Sequence, residues 1–295
     1  MSGRFSLPAA RTIQTALGPV ACIVAGSGPP VLALHGGMGG ADQSWILAQA
    51  LFADASAFRI VAMARPGYAG TRLSNGTTPE QQAALQCALL DALGIERVTI
   101  AAISAGGPSA IHFAARYPAR CDRLLLVSAA SGAMQPPPVL LARLKQMAIL
   151  ACVPGVLSYL RRKVAANPAA AASRLANPDL AAALDHPVAG PLLRRFQKSI
   201  FTGFRARLPG TRNDIARLVA LPPVPLGAIR APVLAIHGAE DFVVPPEHAR
   251  AVAAALPAAR LLMLPGGGHE IIFTHLDAVR SAVADFLVIP GAQSR

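Results

Sequence analysis

AAISAGG, residues 101–107, joins two kinds of structure: it closes an apolar, β-branched run over 97–103 and opens a helical pattern over 108–117. Ser104 therefore falls on a tight strand-to-helix turn. Such a turn crowds the backbone and needs little side chain on either flank of the serine, which Ala102, Ala105, Gly106 and Gly107 supply. The hydroxyl is thereby thrust out above the sheet, beside the first amides and the positive dipole end of the next helix, where an oxyanion would be stabilised. The turn departs from the usual G-x-S-x-G in carrying Ala102 at the first glycine. By itself a serine among small residues is an ordinary strand–helix junction, so the surrounding chain has to decide.

Outward from this turn, apolar strand runs and helical runs alternate. Residues 11–16 and 19–24 alternate in polarity about Leu17 and Gly18, which predicts an opening β-hairpin. Residues 30–34 form an apolar strand that runs into HGGMGG, 35–40, a glycine-rich backbone able to approach another group closely. A helix is expected over 44–53, a buried strand over 58–63 and a turn-rich loop at RPGYAGT, 65–71. Thr78, Pro79 and Gln81 match the N-cap, N1 and N3 positions of a capping box before a helix through 83–93. Another strand follows the serine turn at 123–127. The fold class is α/β: near-continuously apolar strands alternating with helices predict a mostly parallel central sheet with helices on both faces.

Beyond Ser128 the alternation stops. From 131 to 220 there are helix-like apolar stretches such as 139–150, broken at Pro154–Gly155, Asn167–Pro168, Asn177–Pro178 and Pro191, and no strand pattern. Strand 232–236, helix 247–256, strand 260–264 and a last helix over about 271–287 then resume it. We expect a core domain built from 1–130 and 221–295, with 131–220 inserted as a helical cap. A chain of 295 residues accommodates this as one large core with an insertion.

Composition excludes several classes. The 53% hydrophobic content is inflated by alanine. The uncharged stretch 98–115 is long enough for a bilayer, but Ser104, Gly106, Gly107, Pro108 and His112 make it strand, turn and helix instead. MSGRFSLPAARTIQ at the N-terminus lacks the apolar core and cleavage site of a signal peptide, so a cytoplasmic location is expected. Cys22, Cys87, Cys121 and Cys152 are widely spaced without C-x-x-C, which favours free thiols over a zinc site or disulfide framework.

Two loops of the resumed sheet carry chemistry-bearing residues. Strand 232–236 ends in HGAEDFVVP, 237–245, and strand 260–264 ends in PGGGHE, 265–270. Both leave carboxyl ends of strands, the rim at which open α/β sheets bind ligands. Ser104, Asp241 and His269 then come from three strand ends of one rim. A serine hydroxyl needs a neutral imidazole to accept its proton, and the imidazole needs a carboxylate to fix its tautomer and stabilise its cation. His35 and His237, each before a glycine at a strand end, read as structural; Glu240 adjoins Asp241 and is its rival for the acid role.

With these residues in place the chain resembles the α/β-hydrolase superfamily along nearly its whole length, from HGGMGG through the serine turn to PGGGHE. The resemblance implies a Ser104–His269–Asp241 triad, since the family's acid stands three residues after the His-Gly pair. It implies an oxyanion hole from the amides of Ala105 and Gly37, with Met38 as the neighbouring alternative and a substrate contact. Relatives that open epoxides or displace halide carry aspartate at the turn, which Ser104 excludes. A serine carboxylesterase or related acyl hydrolase, using no cofactor and no metal, is the expected activity. Carbon–carbon hydrolysis of a dienoic ketoacid is the alternative, although Glu270 and Ile103 stand where those enzymes carry an aromatic and an asparagine. Aminopeptidase relatives share such an HGG loop but need cap acids, in which 131–220 is poor. A ligand-binding member without turnover is the third reading.

Residues 131–220 hold 13 Lys and Arg against 3 Asp, most of the chain's net +12. Arg161, Arg162, Lys163, Arg194, Arg195, Lys198, Arg205 and Arg207 come in short groups with few aromatics and no reader motif, so nucleic acid is not an expected partner. Facing inward, these cations would select an ester with an anionic group near the scissile bond; facing outward beside apolar 147–160, they would rest the cap on an anionic membrane and admit lipid-like esters.

Overall fold

The structure is a computed structural model and describes residues 7–173 and 179–288. The first six residues of the N-terminal stretch and the Asn177–Pro178 break lie outside the described residues. Strands β1 (Arg11–Ile13), β2 (Val20–Ala25), β3 (Pro30–Leu34), β4 (Arg59–Met63), β5 (Val98–Ile103), β6 (Cys121–Val127), β7 (Val233–Gly238) and β8 (Arg260–Leu264) form one sheet in the order β1-β2-β4-β3-β5-β6-β7-β8. The opening hairpin β1–β2 and the β2–β4 pair are antiparallel, and every other pair is parallel.

Helices α1 (Ala41–Leu51), α2 (Pro79–Ala92) and α3 (Gly107–Arg116) alternate with strands up to β6. Between β6 and β7 lie α4 (Pro138–Leu150), α5 (Val156–Ala166), α6 (Pro168–Ser173), α7 (Asp179–Ala183), α8 (Ala189–Phe201) and α9 (Phe204–Val219). Helix α10 (Glu247–Ala255) joins β7 to β8, and α11 (Ile271–Thr274) and α12 (Leu276–Val288) follow β8.

The period of two along each strand sends neighbours to opposite cores. On β3, Val31 and Ala33 enter the core beneath α1, α11 and α12, whereas Leu32 and Leu34 enter the core beneath α2, α3 and α10. Full burial of one such valine or leucine stabilises the fold by roughly 1.5–3 kcal/mol. The capping box forms as the sequence predicts: Gln81 N–H donates to Thr78 Oγ1 at 3.3 Å, and Thr78 N–H donates to Gln81 Oε1 at 3.2 Å.

Two helix boundaries differ from expectation. Helix α1 begins at Ala41, because the Gly40 carbonyl accepts the Gln43 and Ser44 amides and so starts the helix early. The last helix is two, broken at His275, which has left helical geometry (φ −124°, ψ 34°). Ile271, Ile272 and Phe273 are buried consecutively. Three successive residues cover too much of a helix's circumference to share one stripe, so the axis must change before α12 can bury Val279 and Val283. Helices α7 and α8 place Leu180, Leu192 and Leu193 in the same core as α1, while α4 and α5 bury none of their residues.

The chain passes from β3 to β4 on one side and then to β5 on the other. Connections leave this pair in opposite directions, so a crevice opens at the carboxyl ends of β3 and β5. HGGMGG and Ser104 sit there.

Candidate active site

Ser104 occupies the left-handed region, φ 55°. A non-glycine residue there costs on the order of 1–3 kcal/mol, held by its surroundings. Those surroundings are close. A Cβ on Gly36 would fall 2.7 Å from the Ser104 Cβ, one on Gly106 2.8 Å from the His35 carbonyl oxygen, and one on Gly107 2.2 Å from that of Ala130. The pinch thus falls on these three glycines. Ala102 is spared it, lying inside the sheet opposite Leu34 and Leu126, which is why the turn closes without the first glycine of the usual pattern.

His35 is fully buried and holds the loop from beneath. Its Nδ1 lies 2.7 Å from the Gly36 carbonyl, and its Nε2 accepts the Arg65 amide at 3.0 Å. Burial, reinforced by the charge of Arg65, keeps the ring's pKa well below the ordinary histidine value, so it stays neutral.

The two candidate acids separate cleanly. Glu240 is exposed. Asp241 is 3% exposed and accepts from His269 Nδ1 at 2.8 Å and from the Val243 and Val244 amides at 2.8 and 2.9 Å. Burial alone would raise its pKa, but the facing His269 and these donors outweigh burial and hold the carboxyl well below the usual carboxylate range. For His269, burial opposes the charged ring, and Asp241's charge and hydrogen bond overcome it, leaving the pKa above the ordinary 6.5. His237 is a further partner of the acid that its sequence position did not suggest: its Nε2 lies 3.3 Å from Asp241 Oδ2 and 2.9 Å from the Val244 carbonyl. The two loops can meet because residue 238 is glycine; a Cβ there would lie 2.1 Å from the Gly267 carbonyl oxygen.

Ser104 and His269 line one cavity of about 370 Å³, together with Gly37, Met38 and Ala105. Its walls are mostly apolar, with Leu140, Leu144 and Met147 from α4 and Phe204 and Ile215 from α9. Ala105 stands in the first turn of the helix, where amides have no intrahelical acceptor. On the loop side, Met38's amide already donates to Thr211 Oγ1 at 3.0 Å. Gly37, whose missing side chain faces open space, lines the cavity beside it.

Helix α9 fixes this loop through contacts that sequence reasoning did not anticipate. Arg207 donates to the Met38 carbonyl at 3.1 Å and pairs with Asp42 at 2.7 Å, while Met38 itself holds φ 54°. Two turns further on, Asp214 pairs with buried Arg65 and accepts from the Tyr68 hydroxyl, both at 2.5 Å. RPGYAGT is therefore the seat of a buried ion pair as well as a turn. None of the eight cations named from the sequence lines the cavity; the lining cation is Arg143. Among the described residues no cluster of three or more His, Cys, Asp or Glu has a metal-holding arrangement. Burial pushes the Cys22 thiol up to about 11 and the Cys121 thiol up to about 12, so both are unreactive. No described helix is long and apolar enough to cross a membrane.

Comparison with known proteins agrees with this architecture. Residues 29–276 match the family model described as alpha/beta hydrolase fold. An uncharacterized hydrolase of Bacillus subtilis is 38% identical over 106 residues, a partial match covering 36% of either chain. A 2-hydroxy-6-oxononadienedioate/2-hydroxy-6-oxononatrienedioate hydrolase of Paraburkholderia xenovorans is 31% identical over 214 residues, 72% of this chain and 70% of that one. The solved structure of an alpha/beta hydrolase fold protein from Nakamurella multipartita superposes with a TM-score of 0.76 at 30% identity, covering 95% of this chain and 99% of that one. On the fold, the sheet order and these matches, the chain belongs to the alpha/beta hydrolase fold family.

Proposed function

We propose that this protein is a serine hydrolase that cleaves carboxylic esters of apolar substrates through an acyl-enzyme on Ser104. The observation that carries the reading is the hydrogen-bonded pair of buried Asp241 and half-buried His269 opening onto the same apolar cavity as Ser104. In this mechanism His269 Nε2 takes the Ser104 proton as Oγ attacks the ester carbonyl. Asp241 keeps the proton on Nδ1 and balances the imidazolium. The Ala105 and Gly37 amides receive the oxyanion. His269 then returns its proton to the departing alcohol, and a water activated by the same ring cleaves the acyl-enzyme. No step calls on a metal or cofactor. Residues 131–220 act as the cap, with α4 and α9 shaping the acyl pocket.

The likeness to the Paraburkholderia hydrolase favours a second reading, carbon–carbon hydrolysis of a dienoic ketoacid at the same serine. Arg143 at the cavity is a cation suited to such a substrate's carboxylate. The two are separated by presenting purified protein with a series of p-nitrophenyl esters and, in parallel, a 2-hydroxy-6-oxo-dienoate whose absorbance is lost on cleavage. Turnover of mid-length esters, abolished in Ser104→Ala, is expected. Consumption of the dienoate alone would transfer the assignment to carbon–carbon hydrolysis.

A further inference from the structure

The tip where α4 turns into α5 has the wrong surface for a segment that only covers a pocket. Ile149 is 71% exposed, Val153 51% and Tyr159 58%, all at or beside the turn between the two helices, where Cys152 and Pro154 are also exposed. The cations Lys145, Arg161, Arg162 and Lys163 surround this tip and are exposed. None of them has an ion-pair partner among the described residues, and the sequence contains no Asp or Glu between Asp122 and Asp179. Helical spacing of four places Lys145 with Ile149 on one face of α4 and Tyr159 with Lys163 on one face of α5. The Lys163 Nζ indeed lies 6.0 Å over the Tyr159 ring.

We infer that this tip docks on an anionic lipid bilayer, with Ile149, Val153 and Tyr159 entering the headgroup–acyl boundary and the four cations meeting lipid phosphates. Three large apolar side chains in water gain free energy by leaving it, and an acid-free cationic collar makes a negatively charged surface the matching destination. A second copy of the chain is the poorer occupant. A two-fold contact through the tip would set the same cations against themselves. The opposite face of α4 continues the argument inward, since Leu140, Leu144 and Met147 line the cavity that holds Ser104. One helix would therefore join the bilayer surface to the proposed acyl pocket, and an apolar ester would pass between them without crossing water. Docking goes beyond the assignment of Ser104: vesicle binding and ester turnover are read separately, and either can fail without the other.

The test uses vesicles of phosphatidylcholine with and without 30% phosphatidylserine. An environment-sensitive fluorophore is placed on Cys152 in a Cys87→Ser background, since the remaining thiols are buried. A blue shift and co-sedimentation with the anionic vesicles only, weakening as salt shortens the Debye length from about 30 Å at 0.01 M to about 8 Å at 0.15 M, is expected. Arg161→Gln/Arg162→Gln/Lys163→Gln should lower partitioning on the order of 100-fold, each cation near the surface being worth roughly fivefold. Ile149→Asp/Val153→Asp should abolish the blue shift. Because these positions are exposed and outside the cavity lining, both variants should keep the wild-type thermal melt and the turnover of a short soluble ester. Equal binding to neutral vesicles, no binding to either, or a dimer in sedimentation velocity that Ile149→Asp/Val153→Asp dissolves would each overturn the inference.

Discussion

Asp241 and Glu240 are adjacent in sequence and opposite in environment, and burial with hydrogen bonding, not charge alone, separates them. Asp241 is fixed by two backbone amides and faces His269, whereas the Glu240 side chain lies in solvent. Asp241→Asn would leave the volume unchanged while removing the charge that selects the His269 tautomer. We expect kcat/KM for an ester to fall on the order of 10⁴-fold, the size of this loss in a serine protease. Glu240→Gln should stay within about twofold. Steady-state kinetics of the two variants decide the matter, and the reverse ranking would move the acid to Glu240.

At the scale of elements, α9 holds the HGGMGG loop of the proposed oxyanion hole, although it follows that loop by some 170 residues. In the proposed mechanism Thr211 is a positioning residue: its hydroxyl accepts the Met38 amide, and Gly37 serves as the loop donor. Thr211→Val keeps the shape and removes the acceptor. It should lower kcat by about 10–100-fold, as small displacements of catalytic groups do, with KM changed much less. Thr211→Ser should restore kcat, and parallel losses in both variants would reduce Thr211 to packing. This link also marks where the sequence ceased to be legible. The strands, the capping box, the serine turn and the acid and histidine loops each carry their signal locally, in periodicity or in residues a few positions apart. Arg65 with Asp214 and Arg207 with Asp42 are made by tertiary packing, and no spacing within RPGYAGT or α9 announces them. The break at His275 was hidden for the same reason, since burial of three successive residues is decided by what packs over them.

Across the whole molecule, the loops after β7 and β8 bring Asp241 and His269 into one hydrogen-bonded pair, and its pH dependence follows in sign. His269 has a raised pKa, so its share of stability is complete below about 6.5 and is lost as pH rises through the raised value. Asp241 has a depressed pKa, so its share is present above about 3.8 and is lost as pH falls through the depressed value. The pair therefore stabilises the fold fully between about pH 3.8 and 6.5, while general-base chemistry needs neutral His269 and begins above that window. The Tm difference between wild type and His269→Gln should shrink over the same pH range in which kcat/KM rises, and an acid limb centred below 6.5 would contradict the raised pKa. The proposed activation of Ser104 by His269 and Asp241 is tested most directly by reaction with a fluorophosphonate at pH 8, followed by peptide mapping by mass spectrometry. A single adduct on Ser104, formed orders of magnitude more slowly in His269→Ala, is predicted. An unlabelled Ser104 in folded protein, or an adduct elsewhere in a protein that still turns over esters, would contradict it.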